Sequence, residues 1–98
     1  MPNFNQPLVS IITVVFNNDE YIRDAIESVL SQDYSRIEHI VIDGGSTDGT
    51  IDIIKEYSDK ISVFLSEPDE GIFDALNKGI VRSHGEIIGI LHSDDLFC

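Results

Sequence analysis

Two adjacent carboxylates, Asp94 and Asp95, follow an apolar run at residues 86–91. Like charges side by side repel, so such a pair is unfavourable unless a cation or solvent compensates. Hard divalent cations such as Mg²⁺ or Mn²⁺ favour carboxylate oxygens and bind one or two of them together with substrate phosphates. The competing reading is a solvated turn in which one of the pair caps a following helix. His92 precedes the pair, and a single histidine is weak support for a mixed His/Asp cluster. A second polar group is Asp43, followed by Gly44 and Gly45. Its carboxylate can accept from a nucleobase N–H or a ribose hydroxyl, or can start the loop as an Asx turn. The two glycines permit positive φ and a close backbone approach to a ligand. Lys78 is one of six basic residues; it can neutralise a phosphate or lie on the surface as an ordinary lysine.

These residues need elements to bring them together. Residues 9–16 form a β-branched, nearly continuous apolar run, as in a strand buried on both faces of a parallel sheet. Asn17, Asn18 and Asp19 break it and offer helix caps. A helix follows with Ile22, Ala25, Ile26, Val29 and Leu30 on one stripe. Residues 37–43 read as a second strand, and Ile51 and Ile54 mark a shorter second helix. Before it, Ser46, Thr47 and Asp48 are good caps. Residues 61–65 read as a third strand, 72–81 as a third helix and 86–91 as a fourth strand. His39 falls in a strand, where a packed or half-exposed role is expected. Residues 1–7 are a loose lead-in.

Alternation of strand and helix implies an α/β fold with a parallel sheet and right-handed crossovers. In open sheets of this kind ligands bind beyond the carboxyl ends of the strands. Three of the four strands end in candidate residues: Phe16-Asn17, Asp43-Gly44 and Asp94-Asp95. A parallel sheet gathers them on one rim. A four-stranded sheet that stops there leaves an edge open, so a truncated chain able to self-associate through that edge is expected.

Composition narrows the ligand. The 98 residues carry 18 acids and 6 bases, a formal net charge of -12. That balance excludes a nucleic-acid footprint, which needs clustered Lys and Arg. A phosphorylated ligand needs a bridging cation here. A single cysteine, Cys98, excludes an internal disulfide framework and points to a reducing, cytoplasmic setting. There is no P-loop, no G-x-G-x-x-G after the first strand and no G-x-S-x-G elbow. A nucleotidyltransferase would want a Gly- and Arg-rich loop after the first strand. A receiver-like domain would want its acidic pair there.

Four segments in this order and spacing, 9–17 (VSIITVVFN), 41–50 (VIDGGSTDGT), 67–79 (EPDEGIFDALNKG) and 85–95 (GEIIGILHSDD), resemble the N-terminal half of family 2 glycosyltransferases, the inverting group with the GT-A fold. The resemblance covers about residues 8–97, so residues 1–98 read as a partial domain, the nucleotide-sugar-binding half. It implies a Rossmann-like, mostly parallel four-stranded sheet with three helices, open and truncated. Thr13, Phe16 and Asn17 would line the nucleotide pocket, and Asp43 would hydrogen-bond the base, usually uracil, with Gly44 beside it. Lys78 would lie near the nucleotide. Asp95 would be the direct metal ligand, with Asp94 in the ribose or metal shell. Two positions depart from the family pattern: Thr13 or Val14 stands where many members carry proline, and His92 where Asp or Asn is usual.

The activity so implied is transfer of a sugar, with inversion, from a nucleotide-diphospho-sugar, a UDP-sugar foremost. The acceptor would be a carbohydrate or a lipid-linked hydroxyl, in cell-surface polysaccharide synthesis at the cytoplasmic membrane face. In this family the acidic base that deprotonates the acceptor lies downstream of the acidic pair, so no catalytic residue is expected within residues 1–98. The alternative is an inert fragment that folds or self-associates without binding donor. The expected outcome of incubating this chain with metal and a panel of UDP- and GDP-sugars is therefore no efficient transfer; robust turnover in a product assay would contradict it.

Overall fold

The computed structural model of the chain describes residues 6–92. Its elements are β1 (Val9–Val15), α1 (Asp19–Leu30), β2 (Ile37–Asp43), α2 (Thr50–Glu56), a 3₁₀ turn (Ser58–Lys60), β3 (Val63–Ser66), α3 (Ile72–Arg82) and β4 (Ile87–His92). The strands form one sheet in the order β3-β2-β1-β4, with every pairing parallel. From β1 the chain steps outward through β2 to β3, then returns across the sheet to place β4 on the other side of β1. The direction of winding reverses between β1 and β4, and the crevice beyond that switch point is where open α/β sheets bind ligands.

The sequence dictates this layering. β1 and β2 alternate between two buried faces, as their apolar, β-branched composition requires. On one face Ile12, Val14, Ile40 and Ile42 pack against Ala75, with Ile72 and Leu76 of α3 closing over them. On the other, Val15 and Val41 pack against Ile22 and Ile26 of α1 and Ile54 of α2. α1 starts where Asn18 accepts the Tyr21 N–H (3.2 Å), and its apolar stripe Ile22, Ala25, Ile26 and Val29 is buried. β4 is an edge of the four-stranded sheet, and it exposes Ile87, Ile88 and Ile90.

Two boundaries differ from the sequence reading. β1 stops at Val15, because Asn17 turns the chain with φ 48° and leaves the Phe16 ring 58% exposed. β3 begins at Val63 rather than at residue 61, because a 3₁₀ turn occupies Ser58–Lys60. Ser62 then docks on β2 through its N–H to the His39 carbonyl (2.9 Å).

His39 lies in β2 and is 3% exposed. Its Nε2 sits 2.7 Å from Thr13 Oγ1, while Nδ1 is buried with no hydrogen-bond partner among the described residues. Burial pushes this imidazole down to about 4, so it folds as the neutral form. The unfolded chain, with an ordinary histidine near 6.5, takes up the proton first. The stabilisation is complete above pH about 6.5 and is lost as pH falls towards 4, by roughly 3 kcal/mol for this group. Urea unfolding of the wild type between pH 7 and pH 4.5 is expected to show this slope over and above that of His39→Gln. Identical slopes would contradict the assignment.

Candidate functional site

The register fixes the rim. Asp43 pairs with Val15 of β1 and with Ser66 of β3, and His92 of β4 pairs with Val14. The carboxyl ends of all four strands therefore meet on one side of the sheet.

Asp43 is the centre of that side. It is fully buried, and its Oδ2 accepts from the Gly45 N–H (3.0 Å), the Ser46 N–H (2.8 Å) and the Ser66 hydroxyl (2.8 Å). Its Oδ1 accepts from the Ser46 hydroxyl (2.5 Å). Four donors thus engage both oxygens of the carboxylate, and hydrogen bonds to an ionised group are the strong ones. The expectation that Asp43 hydrogen-bonds a nucleobase is therefore corrected: both oxygens are engaged by the neighbouring loops and the residue has no exposed surface. It holds the loop after β2 to the end of β3. Gly45 lies in that loop with φ +88°, a conformation that side-chain-bearing residues adopt only with strain.

Asn17 does similar work one strand over. Its backbone N–H donates to Ser46 Oγ (2.8 Å), and its side-chain oxygen accepts from the Thr47 N–H (2.8 Å) and the Asp48 N–H (3.4 Å). Asparagine is one of the few residues that take a positive φ readily. Its expected place in the nucleotide pocket becomes a clasp between the β1 and β2 loops. The expected side-chain cap is absent: Gly49 is the N-cap of α2, with no side-chain cap hydrogen bond, and Asp48 one residue earlier accepts the Thr50 N–H through Oδ1 (2.9 Å) as an Asx turn.

Thr13 stands apart from the rim. Period-2 alternation sends its side chain towards the face shared by α1 and α2, where it is fully buried beside His39. A side-chain contact between Thr13 and a nucleotide is excluded by that burial. Lys78 reaches the loop after β3. Its Nζ lies 3.0 Å from Glu67 Oε2 and 3.4 Å from Asp74 Oδ2, and it donates to the Pro68 carbonyl (3.1 Å). Glu67, then Asp74, hold its ammonium above the ordinary lysine range. The charge is committed to acidic partners and to the loop, and it is not a free phosphate clamp.

What the rim leaves open is a pocket of about 220 Å³ between the end of β1 and the start of α3, lined by Val14, Phe16, Asp69, Gly71, Ile72 and Ala75. That is smaller than the ~300–1,000 Å³ of sites that hold a drug-sized ligand, and it suits one flat ring system. Phe16 supplies an exposed aromatic face to it, and Gly44 comes close: a Cβ there would stand 3.3 Å from the Phe16 ring. Asp69 was not singled out in the sequence. The signal was available, since residues 67–71 follow a parallel strand and so emerge on the same rim as the other candidate loops.

Asp94 and Asp95 lie outside the described residues, as does the His92 side chain. Among the described residues no group of three or more His, Cys, Asp or Glu is placed to hold a metal ion. β4 nonetheless delivers the chain to the rim beside Val14, next to the pocket. A pair of carboxylates following it is an oxygen donor set suited to a hard divalent cation. The residue types fit such an ion.

Comparison with known proteins agrees with this architecture. The model of the family described as glycosyl transferase family 2 matches residues 10–97. The putative teichuronic acid biosynthesis glycosyltransferase TuaG of Bacillus subtilis strain 168 is 41% identical over 93 residues, which cover 92% of this chain and 37% of TuaG. Among solved structures, the mannosyltransferase PcManGT from Pyrobaculum calidifontis, in complex with GDP-Man and Mn²⁺, superposes with a TM-score of 0.83 at 26% identity. That match covers 93% of this chain and 28% of the neighbour. S. aureus TarS 1-349 in complex with UDP-GlcNAc gives a TM-score of 0.80 at 26% identity, covering 89% and 26%. The chain spans about a third of the length of the curated relatives it matches.

Removing the central carboxylate leaves four donors without this partner, three of them on the buried or half-buried Gly45 and Ser46. Asp43→Ala is expected to cost about 3 kcal/mol or more, and Asp43→Asn less, in thermal unfolding followed by circular dichroism. An unchanged transition in Asp43→Ala would contradict its role as the rim's anchor.

Proposed function

The chain belongs to glycosyl transferase family 2, and on that premise we propose that it forms the nucleotide-sugar-binding part of an inverting glycosyltransferase. The donor is a nucleoside-diphosphate sugar, with a UDP-sugar favoured. The acceptor is a carbohydrate or lipid-linked hydroxyl, within cell-surface polysaccharide synthesis. The observation that carries this reading is the pocket between the end of β1 and the start of α3, with the exposed Phe16 ring as its wall, on the rim at the carboxyl ends of the strands. The GDP-Man and UDP-GlcNAc complexes of the structural neighbours support it, and so does the biosynthetic role in the name of TuaG.

The described residues act by binding and positioning. Phe16 offers its ring face to the base, where stacking contributes alongside apolar burial. Val14, Ile72 and Ala75 exclude water beneath it. Asp43, Ser46, Asn17 and Ser66 hold the loops that shape the opening, so the site needs little reorganisation when donor arrives. With a formal net charge of -12, the chain repels a free diphosphate, and a cation is the means of offsetting that. Asp95, with Asp94 beside it, would hold Mg²⁺ or Mn²⁺, which supplies Lewis-acid assistance to the departing diphosphate. The acceptor hydroxyl must lose its proton as it attacks the anomeric carbon. Asp43 is fully buried, and no described residue is assigned that task. No helix among the described residues is long and apolar enough to cross a membrane.

Titration calorimetry of the chain with UDP and Mn²⁺ tests the reading. Binding is expected to depend on the metal, to weaken at least about tenfold in Asp95→Ala as an ion-mediated diphosphate contact is lost, and to persist in Lys60→Ala, far along the chain in the 3₁₀ turn. Failure to detect binding at millimolar nucleotide would count for the inert fragment instead.

A further inference from the structure

We propose that Asp69 reads the nucleobase, its carboxylate accepting the ring N–H that uracil and guanine carry and that cytosine and adenine lack. The inference rests on the donor-binding reading above and names the group that makes the site choose among bases.

Among the described residues, Asp69 is the only charged side chain lining the pocket; the rest of that lining is apolar, aromatic or glycine. It stands on a loop that is fixed at several points. The Glu67 N–H donates to the Asp43 carbonyl (3.0 Å), the Ser66 hydroxyl to the Asp43 carboxylate, and Lys78 to the Pro68 carbonyl. Pro68 itself restricts the backbone just before Asp69. The carboxylate is then oriented by its own loop, since Oδ1 accepts from the Gly71 N–H (3.1 Å). Oδ2 takes no hydrogen bond among the described residues. It lies 2.9 Å from where a Cβ on Gly44 would be, and that same point is 3.3 Å from the Phe16 ring. The missing side chain at residue 44 thus leaves room for Oδ2 to approach the aromatic wall. One carboxylate oxygen is held by the loop and the other is left over at the pocket.

A carboxylate is an acceptor only. A flat heterocycle lying against Phe16 gains from Oδ2 if the edge it presents carries a ring N–H. Uracil N3–H meets this need, and guanine meets it with N1–H and the adjacent amino group. Cytosine N3 and adenine N1 are acceptors, and in a small pocket they would set a lone pair against the carboxylate with no proton between them. One charge-assisted hydrogen bond made or refused at a half-buried site amounts to about tenfold in affinity or more.

The test is titration calorimetry of the full chain with UDP, GDP, CDP and ADP at fixed Mn²⁺, for the wild type, Asp69→Asn and Gly44→Ala. UDP or GDP is expected to bind at least about tenfold tighter than CDP and ADP, and the better of the two reports the ring size the pocket takes. Asp69→Asn keeps the Gly71 contact but can also donate, so the gap between UDP and CDP should close. Gly44→Ala adds no charge yet displaces Oδ2, and should narrow the gap in the same direction. Circular dichroism confirms that each variant folds, and either one alone decides the matter. A wild-type ranking retained in either folded variant, or equal binding of all four nucleotides by the wild type, overturns the assignment of Asp69 and leaves donor binding standing. Absence of binding by any nucleoside diphosphate overturns both.

Discussion

The structure depends on one buried carboxylate. Asp43 ends the central strand β2, and both of its oxygens are consumed by neighbours that belong to two other segments, the glycine-containing loop before α2 and the end of β3. Ser46, held by Asp43, in turn receives the Asn17 N–H, and the Gly44 N–H donates to the Val15 carbonyl (3.0 Å). Three strand ends are thereby fastened to each other at the rim where a ligand would sit. A buried charge is tolerable only when it is fully hydrogen-bonded, and here the requirement does structural work. The same four donors that stabilise the carboxylate set the positions of Phe16, Gly44 and Asp69.

Much of the fold was legible because its signals are strong and local. The runs at 9–15 and 37–43 are β-branched and buried on both faces, and α1 carries a clear apolar stripe behind a good cap. The strand order, with β4 beside β1, is not written in any local residue pattern and is set by how the helices pack on the two faces of the sheet. The places where the reading shifted are places where tertiary contacts decide. β3 starts late because a 3₁₀ turn takes up the residues before it, and β1 stops early because Asn17 adopts a positive φ to reach the second loop.

The candidate site was legible as a rim and less so as individual roles. A polar residue at the end of a parallel strand can face the ligand or can hold the loop that faces the ligand, and sequence does not separate the two. Asp43, Asn17 and Lys78 all turn inward or towards the loops. Thr13 was one pleat out of phase with the site. Asp69 sits among other acids in its loop, and residue type does not separate its half-buried carboxylate from the exposed ones of Glu67 and Glu70. The acidic pair Asp94-Asp95 lies beyond the described residues. Its assignment rests on residue type, on the family, and on β4 arriving at the switch point.

The central claim is that nucleotide and metal meet at the carboxyl rim between β1 and β4. Paramagnetic broadening of backbone amide resonances by substoichiometric Mn²⁺ in the presence of UDP tests it most directly. The account predicts selective loss of signal from Val14, Val15, Phe16 and Leu91, and retention at Leu8, Ser83 and Gly85 on the opposite rim. Broadening centred on the amino ends of the strands, or spread evenly over the acidic surface, would contradict it.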